Sequence, residues 1–227
     1  MFLESEGDRW YERNAAVLEA FDPDQDLPLR LVDLYRVEAA SALEVGAATG
    51  ARLAALGARG CRRLVAVEPS LAAIAEGRRR HPGIEFRRAL VTDMDLGEQF
   101  DLVVAHYVLH WVDRGALLTA VAAIDRCVRD GGFLVVGDFC PAAPARVPYH
   151  HVPPGAYTWK QPYHEIWTAS GLYRVVAGLT GVTPRALDPR AAEHERGGVW
   201  LLRKSLVDHY VEAALPPGVG PRSSGDR

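Results

Sequence analysis

The chain has 227 residues, 48 % of them hydrophobic and 24 % charged, with a formal net charge of -3. That length suits one sizeable domain and is short for two, and the composition is that of an ordinary globular protein. The slight acidity gives no global attraction to nucleic acid or to an anionic membrane, and no apolar run reaches the roughly 18 residues that span a bilayer. Residues 1–8 are acidic and lack the basic-then-apolar order of a secretory signal. Cys61, Cys127 and Cys140 are odd in number, widely spaced and free of any CxxC pair, so they read as thiols of a reducing compartment and not as staples or a metal site. The expectation is a cytoplasmic protein with no metal and no nucleic-acid or membrane partner, as a monomer or homodimer.

In chain order, residues 7–20 read as a helix with Trp10, Tyr11, Val17 and Leu18 on one stripe. A second helix runs from Pro28, a residue suited to a first turn, to about residue 38. Residues 41–45 form a short buried strand that ends in small residues at 46–50, and an alanine- and leucine-rich helix follows to about residue 56. A second strand, 63–67, precedes a helix to residue 80 capped by Ser70. Further strands are expected at 84–88, 100–105 and 132–137, with helical segments near 108–112 and 115–129. This alternation predicts an α/β domain with a mostly parallel sheet and helices on both faces. Residues 141–155, rich in proline and alanine, read as irregular and long enough to be functional. A helix at 161–169 and two antiparallel strands at 173–182 and 198–203 follow, and residues 216–227 read as a disordered tail.

The sharpest feature is Leu43-Glu44-Val45-Gly46-Ala47-Ala48-Thr49-Gly50. A strand followed by closely spaced small residues that open a helix makes a tight turn, where a ligand approaches the backbone closely. In open α/β sheets such a crevice at the carboxyl ends of strands is where ligands bind. A nicotinamide dinucleotide would call for G-x-G-x-x-G, but the spacing here is G-x-A-x-G with Ala51 next. Glu44 beside the turn would repel a pyrophosphate and suits an ammonium. Glu68 ends the second strand about 20 residues on, where a carboxylate can accept both ribose hydroxyls.

These residues resemble the class I S-adenosylmethionine-dependent methyltransferases. Residues 43–50 look like their first motif, Val67-Glu68-Pro69-Ser70 like the second, and Phe100 to Val104 with Val108-Leu109-His110 like the fourth. The resemblance implies a Rossmann-like fold with a seven-stranded sheet, and S-adenosyl-L-methionine as cofactor with S-adenosyl-L-homocysteine as product. It implies a cofactor set of Glu44, Gly46, Ala48, Gly50, Glu68 and Pro69, with Leu90 and Val91 about the adenine, Asp93 near its amino group, and Ala105 at the end of the fourth strand. The ends of the chain resemble methylases associated with pseudaminic acid biosynthesis, through residues 7–14, Tyr149-His150, Lys160 and residues 200–204. That similarity implies a first helix lying over the cofactor, with Tyr11, Arg13 or Asn14 touching it. The implied organisation is a helical cap at 1–38, a cofactor core at 39–140, and a substrate loop with C-terminal hairpin at 141–210.

The expected activity is methyl transfer to oxygen or nitrogen of a sugar, nucleotide-sugar or natural-product intermediate, as in antibiotic biosynthesis. A non-catalytic S-adenosylmethionine-binding or regulatory protein is the alternative, and a nicotinamide oxidoreductase stands further off. A hydroxyl acceptor needs a general base, and the candidates are His106, Asp138 and His150. His110 and His151 join Tyr157, Lys160 and Tyr163 as candidate substrate contacts. Lys160 is one of only two lysines and would hold an anionic group.

Overall fold

The computed structural model describes residues 2–152, 155–180 and 192–213. A seven-stranded sheet is built from β1 (Ser41–Val45), β2 (Arg63–Val67), β3 (Glu85–Arg87), β4 (Phe100–His106), β5 (Val128–Phe139), β8 (Tyr173–Thr180) and β9 (Gly197–Lys204). Its order is β3-β2-β1-β4-β5-β9-β8. The pairs from β3 to β5 are parallel, and β9 runs antiparallel to both β5 and β8. The expected fold class is therefore observed, antiparallel C-terminal pair included.

Strand alternation sorts the core into two layers. Leu43, Val45, Val103, Ala105, Leu134 and Val136 point to the face covered by α5 (Leu117–Cys127) and α6 (His164–Ala169). Ala42, Ala66, Leu102, Val104 and Val135 point to the face covered by α2 (Leu27–Leu34), α3 (Ala51–Ala58) and α4 (Leu71–Arg80). Both faces of β1, β2 and β4 are buried, which is why these strands read as nearly continuous apolar runs. Glu44 is the exception on β1, and it faces the α3 side. Helix α1 (Gly7–Glu19) lies outside this sandwich, anchored to α4.

Several boundaries differ from expectation. Helix α2 stops at Leu34, not near residue 38, because Arg36 takes a left-handed conformation at φ 50°. Residues 128–129, expected at the end of a helix, open β5, which runs 12 residues. Helix α6 begins at His164, not at 161, since a residue before proline disfavours helical geometry and Gln161 precedes Pro162. The segment 141–155 is not wholly irregular: β6 (Ala145–Pro148) pairs with β7 (Tyr157–Lys160) in a separate two-stranded antiparallel sheet. Residues 181–182 of the expected strand and the tail at 216–227 lie outside the described residues. No helix among the described residues is long and apolar enough to cross a membrane.

Candidate active site

The register brings Val45, Val67 and Ala105 level with one another, so β1, β2 and β4 end on one rim. The turn leaving β1 is left-handed three times, at Gly46 (φ 69°), Ala48 (φ 48°) and Gly50 (φ 77°). Glycine is required at 46 on two counts, its positive φ and a Cβ that would stand 2.6 Å from Val108 Cγ2. Ala48 holds the same kind of conformation with a side chain, at a cost of roughly 1–2 kcal/mol.

Glu68 closes this turn. Its Oε2 accepts from the Ala48 amide at 2.8 Å and its Oε1 from the Ser70 amide at 2.9 Å. Burial pushes its pKa up to about 6, against the pull of these two amides. Asp8 of α1 reaches the same corner, accepting from Ser70 Oγ at 2.6 Å and the Ala72 amide at 3.0 Å. With Ser70 itself accepting from the Ala73 amide, two side chains cap α4, and the Ser70 bond to Asp8 holds that carboxyl below its usual range.

Glu44 sits in a different setting. Arg52 on α3 binds Glu44 Oε1 and forks onto Asp26, whose two oxygens lie 2.7–3.1 Å from its nitrogens. Burial lifts the Glu44 pKa to about 7 in spite of Arg52. Its Oε2 is buried and has no hydrogen-bond partner among the described residues. Two carboxyls thus share one guanidinium, and the cluster carries a surplus negative charge only above about pH 7, where Glu44 ionises. Arg52 Nη2 also lies 3.0 Å from His106 Nδ1. A guanidinium only donates, so Nδ1 is the accepting nitrogen and Nε2 carries the proton. Burial first, and the Arg52 charge second, hold the His106 pKa well below its ordinary value.

The remaining expected residues fall into three groups. Of the residues expected about the adenine, Val91 is buried in a short 3-10 turn (Val91–Asp93), Leu90 is half-buried and Asp93 is exposed. Pro69 offers its carbonyl to Arg88, and Ala105 is buried between β1 and β5. On α1, Arg13 bonds Glu6 at 2.5 Å and the Tyr149 hydroxyl at 2.6 Å, Asn14 turns back to the Trp10 carbonyl, and Tyr11 is half-buried.

Beyond β4 and β5 three of the expected residues are engaged by other protein groups. Asp138, read as a base, is 2 % exposed and accepts from the amides of Leu109, His110 and Phe139, so it braces the turn after β4. Tyr163, read as a substrate contact, is 1 % exposed and donates its hydroxyl to the Trp159 carbonyl, which places it in the core. Lys160, read as an anion holder, is buried, ion-paired with Glu195 at 2.6 Å and stacked 3.9 Å from the Phe139 ring centre. His110 is buried with Nδ1 2.8 Å from Asp138 Oδ1, off the axis of a good hydrogen bond. His150 and His151 are exposed, with their rings tilted against each other at 4.0 Å, and Tyr157 packs under Arg146.

Sequence reasoning missed Arg52, Asp26, Glu6, Tyr107 and Glu195. Arg52 carried a local signal, a cation in the first turn of the helix after the motif, and Tyr107 directly follows β4; Asp26, Glu6 and Glu195 meet the rim from distant segments. No cluster of three or more metal-ligating side chains occurs among the described residues.

Residues 43–136 match a family model described as Methyltransferase domain. No curated protein matches the chain. Among solved structures, a 1,6-didemethyltoxoflavin-N1-methyltransferase from Burkholderia thailandensis superposes with a TM-score of 0.68 at 20% identity, covering 90% of this chain and 88% of that one. The N-methyltransferase NodS from Bradyrhizobium japonicum WM9 gives 0.57 at 21%, covering 77% and 85%. CalS10, an amino pentose methyltransferase from Micromonospora echinaspora, gives 0.57 at 18%, covering 86% and 92%. These likenesses establish the fold. At the centre of that fold, residues 43–136 carry a methyltransferase domain.

Proposed function

We propose that the protein transfers a methyl group from S-adenosylmethionine to nitrogen or oxygen of a small molecule made in biosynthesis. One observation carries this reading: the Glu68 carboxylate, fixed by the amides of Ala48 and Ser70 beside the left-handed turn. Each Glu68 oxygen retains a lone pair for a ribose hydroxyl, and the orphaned Glu44 Oε2 suits an ammonium. The residues present therefore fit the cofactor. Gly46, Ala48 and Gly50 would let it lie against the backbone, Pro69 would flank the ribose, and Leu90, Val91 and Asp93 would enclose the adenine. Ala105 would floor the methyl-bearing end, and α1 with Tyr11, Arg13 and Asn14 would form the cap.

When bound, the cofactor supplies an electrophilic methyl group on a sulfonium. The chain contributes position above all, since collinear approach can be worth roughly 7–11 kcal/mol at its upper end. His106, kept neutral with its accepting Nδ1 held by Arg52, has no free basic nitrogen to take a proton from the acceptor. Asp138 keeps the turn after β4 in place. This favours acceptors that are already nucleophilic, an amine or ring nitrogen before an alcohol; His150 stays as the base candidate for a hydroxyl. The neighbouring structures named for a toxoflavin precursor and an amino pentose support a natural-product acceptor. A sugar, as the likeness of the chain ends to pseudaminic acid methylases suggests, belongs to the same broad class. Three unpaired thiols accord with a cytoplasmic setting.

Calorimetric titration with S-adenosylmethionine, S-adenosylhomocysteine and NAD tests the reading. Micromolar binding of the first two, lost in Glu68→Ala, is expected. Binding of NAD alone, or of none, overturns it.

A further inference from the structure

Resting on that reading, we infer that the acceptor is a flat, hydroxyl-poor heteroaromatic ring that bears the nitrogen or oxygen to be methylated. The rim beyond β4 and β5 is walled by rings from three separate segments. Tyr107 follows β4, Phe139 ends β5, and Tyr149 comes from the connection between β6 and β7. Tyr107 meets Phe139 edge-to-face at 5.3 Å, His110 meets Phe139 at 5.0 Å and Trp111 at 4.6 Å, and Trp111 meets Tyr149 at 4.6 Å. Tyr107, Trp111, Phe139 and Tyr149 all keep part of their surface open, unlike the core rings Tyr163 and Trp167.

The wall is held in a costly conformation. Tyr107 has a φ of 57°, and its amide N–H donates to the Gly137 carbonyl at 2.7 Å. A bulky residue takes that region only where its surroundings impose it, and such strain gathers at ligand sites. Here it swings an aromatic ring across Phe139 and away from the strand direction.

The polar groups around these rings separate a flat ring from a sugar. Asp138 is spent on three backbone amides, and Lys160 is neutralised by Glu195. The Tyr149 hydroxyl lies between Glu6 and Arg13. Arg114 binds the carbonyls of Leu109 and Val112. A sugar or amino sugar brought here would lose water from several hydroxyls with few protein groups left to replace it. A planar ring needs chiefly faces and edges to stack on, and the wall supplies them. Glu195, with 28 % of its side chain exposed and its charge felt by Tyr107, and the buried Glu6 Oε2 beside Tyr149, unpartnered among the described residues, are acceptors for a ring N–H.

The test is saturation-transfer NMR on the intact protein with saturating S-adenosylhomocysteine, using flat nitrogen heterocycles (indoles, purines, pteridines) and, in parallel, amino sugars. The heterocycles are expected to bind saturably and to be methylated when S-adenosylmethionine replaces the product, as read by mass spectrometry. Phe139→Leu and Tyr107→Ala should weaken that binding about tenfold, the scale of one lost aromatic stack, with affinity for S-adenosylhomocysteine unchanged. Saturable binding of amino sugars alone, or of neither class, overturns the inference. So do variants that leave heterocycle binding intact. Retained S-adenosylhomocysteine binding in those cases leaves the methyltransferase reading standing, whereas its absence from the parent protein defeats both.

Discussion

Glu44 and Glu68 end neighbouring parallel strands, are both nearly buried, and are satisfied in opposite ways. Glu68 is held by backbone amides that its own turn presents, so no distant residue is needed to keep it in place. Glu44 depends on Arg52 from the next helix, which must also serve Asp26 and His106. A carboxylate held by backbone is placed by the local fold and keeps its charge for a ligand. One held by a shared cation is placed by tertiary packing, and its ligand must fit into an existing charge balance.

Removing the shared cation should break the comparison most visibly. Arg52→Met leaves Asp26 and Glu44 as uncompensated buried carboxylates, with an expected loss of about 3–5 kcal/mol in urea unfolding. Arg52→Lys should recover only part of this, since an ammonium cannot fork onto Asp26 while reaching Glu44. A loss under 1 kcal/mol in the Met variant would mean that the cluster is solvated and not buried.

Glu68→Ala should act on both binding and stability. Two charge-assisted hydrogen bonds to a ribose are worth about 1.5–3 kcal/mol each, so S-adenosylhomocysteine affinity should fall at least about 100-fold by calorimetry. The fold should lose about 1–3 kcal/mol for each of the two orphaned amides. Equal affinity in parent and variant would remove Glu68 from the site.

The pH dependence sharpens the contrast. Both carboxyls titrate above the ordinary value near 4.5, Glu68 at about 6 and Glu44 at about 7. Being raised, they contribute stability that is complete below about pH 4.5 and lost as pH rises through about 6 and then 7. Glu44→Gln should therefore flatten the upper part of the urea-midpoint curve, between about pH 6 and 7. Cofactor affinity runs the other way, because only ionised Glu68 accepts from both hydroxyls. It should weaken by up to tenfold per unit below pH 6, a dependence that Glu68→Gln abolishes; a flat profile in the parent would contradict this.

The smallest effect expected is at the turn itself. Ala48→Gly relieves a left-handed residue at φ 48° and should stabilise by about 0.5–1 kcal/mol after the added chain entropy of glycine. A lower melting temperature would show that the Ala48 methyl is needed for packing.

The sheet, its order of elements and the corner around residues 43–50 and 68 were legible in the sequence, because each depends on nearby residues. Buried strands announce themselves as apolar runs, Ser70 caps the helix that follows it, and a left-handed turn demands small residues. Glu68 could be placed for the same reason, since its partners Ala48 and Ser70 belong to the two turns that flank β1 and β2. What only the tertiary structure decided is which polar side chains remain available. Asp138, Lys160 and Tyr163 are of the right type and near the rim, yet amides of the 109–110 turn, Glu195 and the Trp159 carbonyl have already claimed them. His106 acquired a defined tautomer from an arginine 54 positions away. Chain order carries local geometry, whereas a buried polar group's freedom depends on every neighbour that folding brings to it, and those neighbours come from anywhere in the chain.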